Sequence, residues 1–307
     1  MREYAVVCPG QGAQSPDMFE LVVTHPRGRA ALDAFQAELG RDLVTEARAG
    51  GDLRPNAWAQ PALVGLARAT WEVLAPELPP PIAFAGYSVG ELSAWSCAGA
   101  WDLATTARVA ATRARMMDDA SPPGCAMLAV RGLPLRALTQ PAAALGLHVA
   151  IVNDDEDHVV LAGAESALVQ AEDALRARGA TLRRLEVPVP SHTPLLAPAA
   201  QRFAAFLAEL PARPPAAPVL RGLDGRRSFA APAGLAALAR AIAEPIRWTD
   251  CMRELTESGV RVVLELGPGR SLARLIEESQ PEIVVRSVAD FRSWHGVIDW
   301  MQARLRD

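Results

Sequence analysis

The chain contains no lysine: its 31 basic residues are all arginine. That absence excludes a Schiff-base lysine, a pyridoxal-phosphate lysine and the lysine of a phosphate-binding P-loop. Alanine and proline are abundant alongside it, a bias read as genome base composition rather than function. Cysteine is sparse. Cys8, Cys97, Cys125 and Cys251 stand far apart with no C-x-x-C pair, the pattern of reduced, mostly buried thiols in a cytoplasmic protein. The five histidines, His25, His148, His158, His192 and His295, show no metal-ligand spacing. Also lacking are a signal-peptide pattern, an apolar run long enough to cross a bilayer, and a repeat of fixed period. The expected location is therefore the cytoplasm. A net charge of −4 leaves no basic surplus, which argues against nucleic acid and anionic membrane as partners. What the chain does have is apolar material: 50% of its 307 residues are hydrophobic, enough for one large domain or two smaller ones.

The most informative stretch begins at Pro81. An apolar run, Ile82 to Ala85, reads as a buried strand, followed by Gly86-Tyr87-Ser88-Val89-Gly90 and a helical segment from Glu91. Strand, tight turn and helix are the context that a G-x-S-x-G nucleophile elbow requires. Its glycines permit the sharp turn and the close packing of helix on strand. Ser88 is then left at the tip, and the Val89 amide, first of the helix, can face an oxyanion. The competing reading is that the pattern occurs by chance, and the strand–turn–helix context weighs against it.

Along the rest of the chain, Ala5 to Cys8 reads as a strand ending in the turn Pro9-Gly10-Gln11-Gly12-Ala13-Gln14, which either presents amides to an anion or is simply tight. Residues 28–50 read as amphipathic helix. Gln60-Pro61 opens another, Ala62 to Leu74. Asp102 is the expected N-cap of a helix running to Ala120. On that helix Arg113 falls inside the apolar arc, between Val109 and Met117. A guanidinium there needs a partner: a substrate anion on one reading, a structural carboxylate on the other. Ser121-Pro-Pro-Gly124 marks a boundary. Beyond it the strand and helix periods give Ala126–Val130, Leu135–Ala144 (interrupted at Pro141), His148–Val152, Val159–Ala162, Glu165–Arg178 and Leu182–Val187. That β-α-β-β-α-β order is ferredoxin-like. Asp154 to Asp157 reads as a solvated hairpin tip rather than a metal site. His192 follows a loop braced by Pro188 and Pro190, a position suited to a fixed base or to a structural histidine. Helices 197–210 and 235–242, a strand Val260–Leu266 ending in Gly267-Pro-Gly269, a helix from Ser271, a strand Ile283–Ser287 and a helix over 292–305 complete the chain.

Several separated motifs agree with one family. Pro9-Gly-Gln-Gly-Ala-Gln14, Gln60-Pro61, Gly86-Tyr-Ser-Val-Gly-Glu91, Arg113-x-x-Met116-Met117, Asn153, Ser191-His192, Pro245-Ile-Arg-Trp248 and Glu265-Leu-Gly-Pro-Gly269 stand in the order they have in malonyl-CoA:acyl-carrier-protein transacylases. The chain resembles that family over nearly its whole length. The resemblance implies an α/β fold: an α/β-hydrolase-like body with a parallel sheet, residues 1–121 and 190–307, and an inserted ferredoxin-like subdomain, 122–189. It implies Ser88 as nucleophile, His192 as its base, the amides of Gln11 and Val89 as oxyanion hole, and Arg113 as the clamp on the malonyl carboxylate, with Gln60 and Asn153 as further substrate contacts. The main-chain oxygen of Arg247 is the expected histidine-orienting group. It further implies malonyl-CoA as acyl donor, no bound cofactor or metal, and CoA and an acyl carrier protein as partners. Tyr87 departs from the histidine usual in the fatty-acid-synthesis enzymes. With Val89 and Ser191-His192-Thr193 it makes the chain look most like the epsilon subunit of malonate decarboxylase, which loads that enzyme's own carrier. The fatty acid or polyketide transacylase is the alternative. A serine esterase or thioesterase of similar fold is the rival of another class. It would need a triad acid, and Asp154, Asp155 and Asp157 fall in the insert. A non-catalytic carrier-docking module is a further rival, disfavoured by the presence of both Ser88 and His192.

Overall fold

A computed structural model describes residues 3–187 and 189–306; Pro188, part of the expected proline brace, lies outside them. The main sheet is built from β1 (Glu3–Cys8), β2 (Ala83–Gly86), β7 (Val219–Leu220), β8 (Arg227–Ser228), β10 (Val260–Glu265) and β11 (Val284–Ser287). Its strand order is β11-β10-β1-β2-β7-β8. All neighbours are parallel except β7 and β8. Helices cover both faces, so the strands read as continuous apolar runs. Alternate residues of β1 enter opposite cores. Tyr4, Val6 and Cys8 pack with Phe84 and Leu264, while Ala5 and Val7 pack with Ala83, Ala85 and Val263. This is the two-residue period of a strand buried on both sides. In register, Cys8 stands beside Gly86 and Val7 beside Glu265. The loops after β1, β2 and β10 therefore emerge together at the carboxyl edge of the sheet, where ligands bind in open α/β sheets.

The second sheet comprises β3 (Cys125–Arg131), β4 (His148–Asp154), β5 (His158–Ala164), β6 (Thr181–Leu185) and β9 (Ile246–Arg247), in the order β6-β3-β5-β4-β9. The first four strands and the helices Leu135–Ala144 and Glu165–Ala177 form the small ferredoxin-like subdomain. Leu128, Val130, Val159 and Leu161 face those helices. Met127, Ala129, Val160 and Ala162 face the other way, into a core shared with Ala85 and Val263 of the main sheet and Trp248. β9 comes from beyond the expected insert and pairs in parallel with β4, which joins the subdomain to the body.

Three expectations change. The segment 28–50 is two helices, Pro26–Leu39 and Leu43–Arg48, because Gly40 at φ 63° ends the first in a left-handed cap and Asp42 caps the second through Thr45 N–H. Pro61 does not open its helix, which starts at Asn56 and carries the proline inside. Pro141 likewise lies inside Leu135–Ala144 without interrupting it. Each proline leaves the carbonyl four residues earlier without its helical donor, and each freed carbonyl has an arginine: Arg41 Nη1 donates to Ala57 O at 3.0 Å and Arg178 Nη2 to Ala137 O at 3.1 Å. The four cysteines are free, and no helix among the described residues is long and apolar enough to cross a membrane.

Candidate active site

Ser88 sits between β2 and the helix Val89–Cys97 with φ 58° and ψ −120°. The turn is closed by contacts that admit no side chain at either flanking glycine. A Cβ on Gly86 would lie 2.1 Å from Glu91 N, and one on Gly90 would lie 2.0 Å from Cys8 O. Ser88 makes no helix-capping bond. Its Oγ instead lies 2.8 Å from His192 Nε2.

His192 is almost fully buried and also holds a positive φ, 65°. Its backbone N–H donates to Ile242 O at 2.8 Å and its Nδ1–H donates to Ala241 O. A carbonyl only accepts, so this bond fixes the proton on Nδ1 and leaves the Nε2 lone pair facing the serine hydroxyl. Burial pushes the imidazole down to about 3, the Arg113 charge adds to that shift, and the bond to Ala241 opposes it. The ring is neutral at physiological pH, the form a general base requires.

The expected orienting group was the Arg247 carbonyl, and the structure corrects it to Ala241. Arg247 lies in β9 beside β4 and serves as N-cap of the helix Trp248–Glu257. Its side chain pairs with Asp250 at 2.6 Å and with Asp155 at 3.2 Å. Ala241 follows the helix Ala231–Arg240, where carbonyls lack helical donors. A backbone acceptor carries no residue-type signal, so this position was missed.

The loop after β1 reaches the elbow. A Cβ placed on Gly10 would lie 3.6 Å from Ser88 Cβ, and the Gln11 and Gln14 side-chain amides tie the loop to Arg54 O and Leu53 O. Among the described residues no acceptor engages the Gln11 or Val89 amide. Arg113 is buried and its Nη1 donates to Gln60 Oε1 at 2.7 Å. Its Nε has no partner, and no carboxylate among the described residues lies within ion-pair distance. Burial lowers the guanidinium to about 10 while Glu91 acts in the opposite sense, so it stays charged at neutral pH. Burial raises Glu91 to about 8. With no carboxylate in ion-pair reach among the described residues, the buried Arg113 charge is open to an anion from outside the chain. Asn153, on β4, is buried beside Tyr87 with Nδ2 3.3 Å from His158 Nε2 and with Oδ1 unpartnered. The Tyr87 ring lies edge-on to Trp248 at 5.5 Å.

A serine oxygen, a neutral tautomer-fixed imidazole and two unengaged amides beside one edge of a parallel sheet are the parts of an acyl-transfer centre. Comparison with known proteins agrees. The family model for the acyl transferase domain matches residues 5–293. A malonyl CoA-acyl carrier protein transacylase from Haemophilus influenzae is 31% identical over 98% of this chain and 100% of its own length. One from Escherichia coli is 34% identical over 90% of this chain and 92% of its own. Among solved structures, a malonyl-transacylase in complex with a type II polyketide synthase acyl-carrier protein superposes with a TM-score of 0.91 at 32% identity, covering 97% of this chain and 99% of that one. A malonyl-CoA:acyl carrier protein transacylase from Xanthomonas oryzae gives 0.91 at 31%, with 98% and 99% covered. Matched over nearly its whole length in sequence and in fold, the chain belongs to the acyl transferase domain family and is an acyltransferase.

Proposed function

We propose that the chain transfers malonyl from malonyl-CoA to the thiol of an acyl carrier protein through an ester on Ser88. The observation that carries the reading is the 2.8 Å contact between Ser88 Oγ and His192 Nε2, with the buried, carboxylate-free Arg113 close enough to depress that imidazole. His192 takes the Ser88 proton as Oγ attacks the thioester carbonyl. The Gln11 and Val89 amides receive the oxyanion, each donor being worth about 3 kcal/mol. His192 then protonates the departing CoA sulfur. In the second half the carrier thiol gives its proton to His192, its sulfur attacks the malonyl carbonyl, and the proton returns to Ser88. Arg113, with Gln60 behind it, holds the free malonyl carboxylate, and Asn153 reaches the acyl group from β4. On this reading residues 1–121 and 190–307 carry the chemistry and residues 122–189 cover it. An esterase reading has no triad acid to support it, since the imidazole Nδ1–H is held by a carbonyl.

For the acceptor, Tyr87 favours a finer reading, the carrier subunit of malonate decarboxylase. The curated relatives are named for acyl carrier protein, and one solved neighbour is held in complex with a polyketide synthase acyl-carrier protein, which supports the alternative carrier. The two arms differ: the decarboxylase carrier retains nucleotide phosphates, which a chain without lysine must meet with arginine and amides. The insert carries two arginine-rich segments, Arg176-Ala-Arg178 and Arg183-Arg184; Arg176 pairs with Glu172 and Asp173, Arg184 pairs with Glu165 and Glu172, and Arg178 holds Ala137 O. Arg183, on β6, is in no ion pair among the described residues and is left for that role. A single-turnover competition with both carriers present, products resolved by mass, tests both levels. Malonylation of either carrier supports the transferase. A preference of about tenfold, ~1.4 kcal/mol, for the dephospho-CoA-armed carrier supports the decarboxylase assignment, and equal rates or the opposite preference overturn it. Hydrolysis of malonyl-CoA with neither carrier loaded overturns the transferase.

A further inference from the structure

One buried acid takes no part in the chemistry above. Glu91 lies in the first turn of the elbow helix, three residues after Ser88, and is 1% exposed. Its neighbours Val89 and Leu92 are apolar and fully buried, so packing alone would be met by an apolar side chain there. A carboxyl group at such a depth is costly unless it makes a bond that matters. Among the described residues its Oε1 has no partner. Its Oε2 accepts from Gly222 N–H at 3.0 Å.

That bond is one link in a closed ring. The Gly222 carbonyl accepts from Arg247 N–H at 2.7 Å. Arg247 ends the segment 241–247, whose other end grips His192 twice, through Ala241 O to the imidazole and Ile242 O to the main chain. His192 returns to Ser88 across 2.8 Å. The nucleophile and the base thus hang from the same short segment, the serine through Glu91 and Gly222, the histidine through Ala241 and Ile242. We infer that Glu91 is a positioning residue: its acceptor oxygen fixes the turn over 221–225 and with it the 241–247 segment, setting the Ala241 carbonyl and so the His192 imidazole against Ser88. β9 pairing with β4 holds the same segment from the side of the subdomain. Glu91 supplies the hold from the side of the elbow.

The inference rests on Ser88 and His192 being the reacting pair, and its test does not depend on the acyl donor. Glu91→Gln keeps shape and acceptor; Glu91→Met keeps shape and removes the acceptor. Labelling of Ser88 by a fluorophosphonate requires the His192 base but no malonyl group, and is measured beside kcat and KM for malonyl-CoA. Glu91→Met is expected to slow labelling and kcat by about 100-fold, the scale of a 1 Å misplacement at a reacting pair, with KM changed less than about twofold. Glu91→Gln is expected to restore both rates to within about threefold of the parent. Should Glu91→Met not fold, Glu91→Asp, one methylene short of the Gly222 amide, takes its place with the same expectation. Labelling at the parental rate in the folded acceptor-less variant, or Glu91→Gln as slow as that variant, overturns the proposal. A parent that is labelled by the fluorophosphonate yet takes no malonyl would overturn the donor assignment instead, and the Glu91 comparison would still be read from the label.

Discussion

Among the described residues, Ser88 and His192 are the non-glycine positions with positive φ, 58° and 65°. Such backbone costs on the order of 1–3 kcal/mol per residue and persists where the surroundings impose it. Here the elbow packing and the bonds from segment 241–242 impose it. The result is a base whose proton inventory is set by burial. Because the folded imidazole is depressed to about 3, the neutral, active form is present above that value and is lost only as pH falls through it. Ser88 acylation is therefore expected to stay level from about pH 5 to pH 8; stopped-flow acylation showing a protonation limb centred near 6.5 would contradict this. The Arg113 guanidinium has one amide partner and an unpartnered Nε, so Arg113→Ala is expected to lower malonyl transfer by roughly 100-fold, about 3 kcal/mol. Transfer of acetyl, which has no free carboxylate, is expected to change far less. Equal losses for the two donors would return Arg113 to the role of a structural cation.

At the scale of elements, the elbow is fixed by distance rather than by propensity. Gly90→Ala would drive a methyl into Cys8 O, 2.0 Å from its built position, where backbone must move. A loss of about 3 kcal/mol or more in urea unfolding is expected, with activity lost even in molecules that fold; a stable, active Gly90→Ala would mean that strand and helix are not packed as described. This element was legible because it combines an apolar run, paired glycines and a serine, each with its own physical reason. Asp102 was legible as a cap, and its carboxylate does accept from Thr105 N–H. Pro61 and Pro141 were not legible as helix-interior residues. The arginines that receive their freed carbonyls, Arg41 and Arg178, are 20 and 37 positions away in the chain (61 − 41 and 178 − 141), beyond any local pattern. β7, β8 and β9 are too short to show a period of two. The Ala241 carbonyl was invisible for a different reason, since every residue offers a carbonyl and only the fold selects which one meets His192.

At the scale of the molecule, the small subdomain is bound to the body by a common core rather than by a hinge alone. Met127, Ala129 and Ile151 pack with Ala85, Val263 and Trp248, β9 joins the smaller sheet, and Asp155 of the hairpin tip meets Arg247. Body and subdomain thereby meet around Tyr87, with Trp248 on one side and Asn153 on the other. The sequence order alone placed these groups in separate segments, and the motifs shared with malonyl transacylases supplied the expectation that they converge. The proposed chemistry centres on a covalent event at one atom, Ser88 Oγ. Incubation with malonyl-CoA followed by acid quench, intact mass and peptide mapping should find one malonyl group on the peptide containing Ser88, none on Ser88→Ala, and little acetyl from acetyl-CoA under the same conditions. Malonyl mapped to another residue, or acetyl taken up as readily as malonyl, would contradict it.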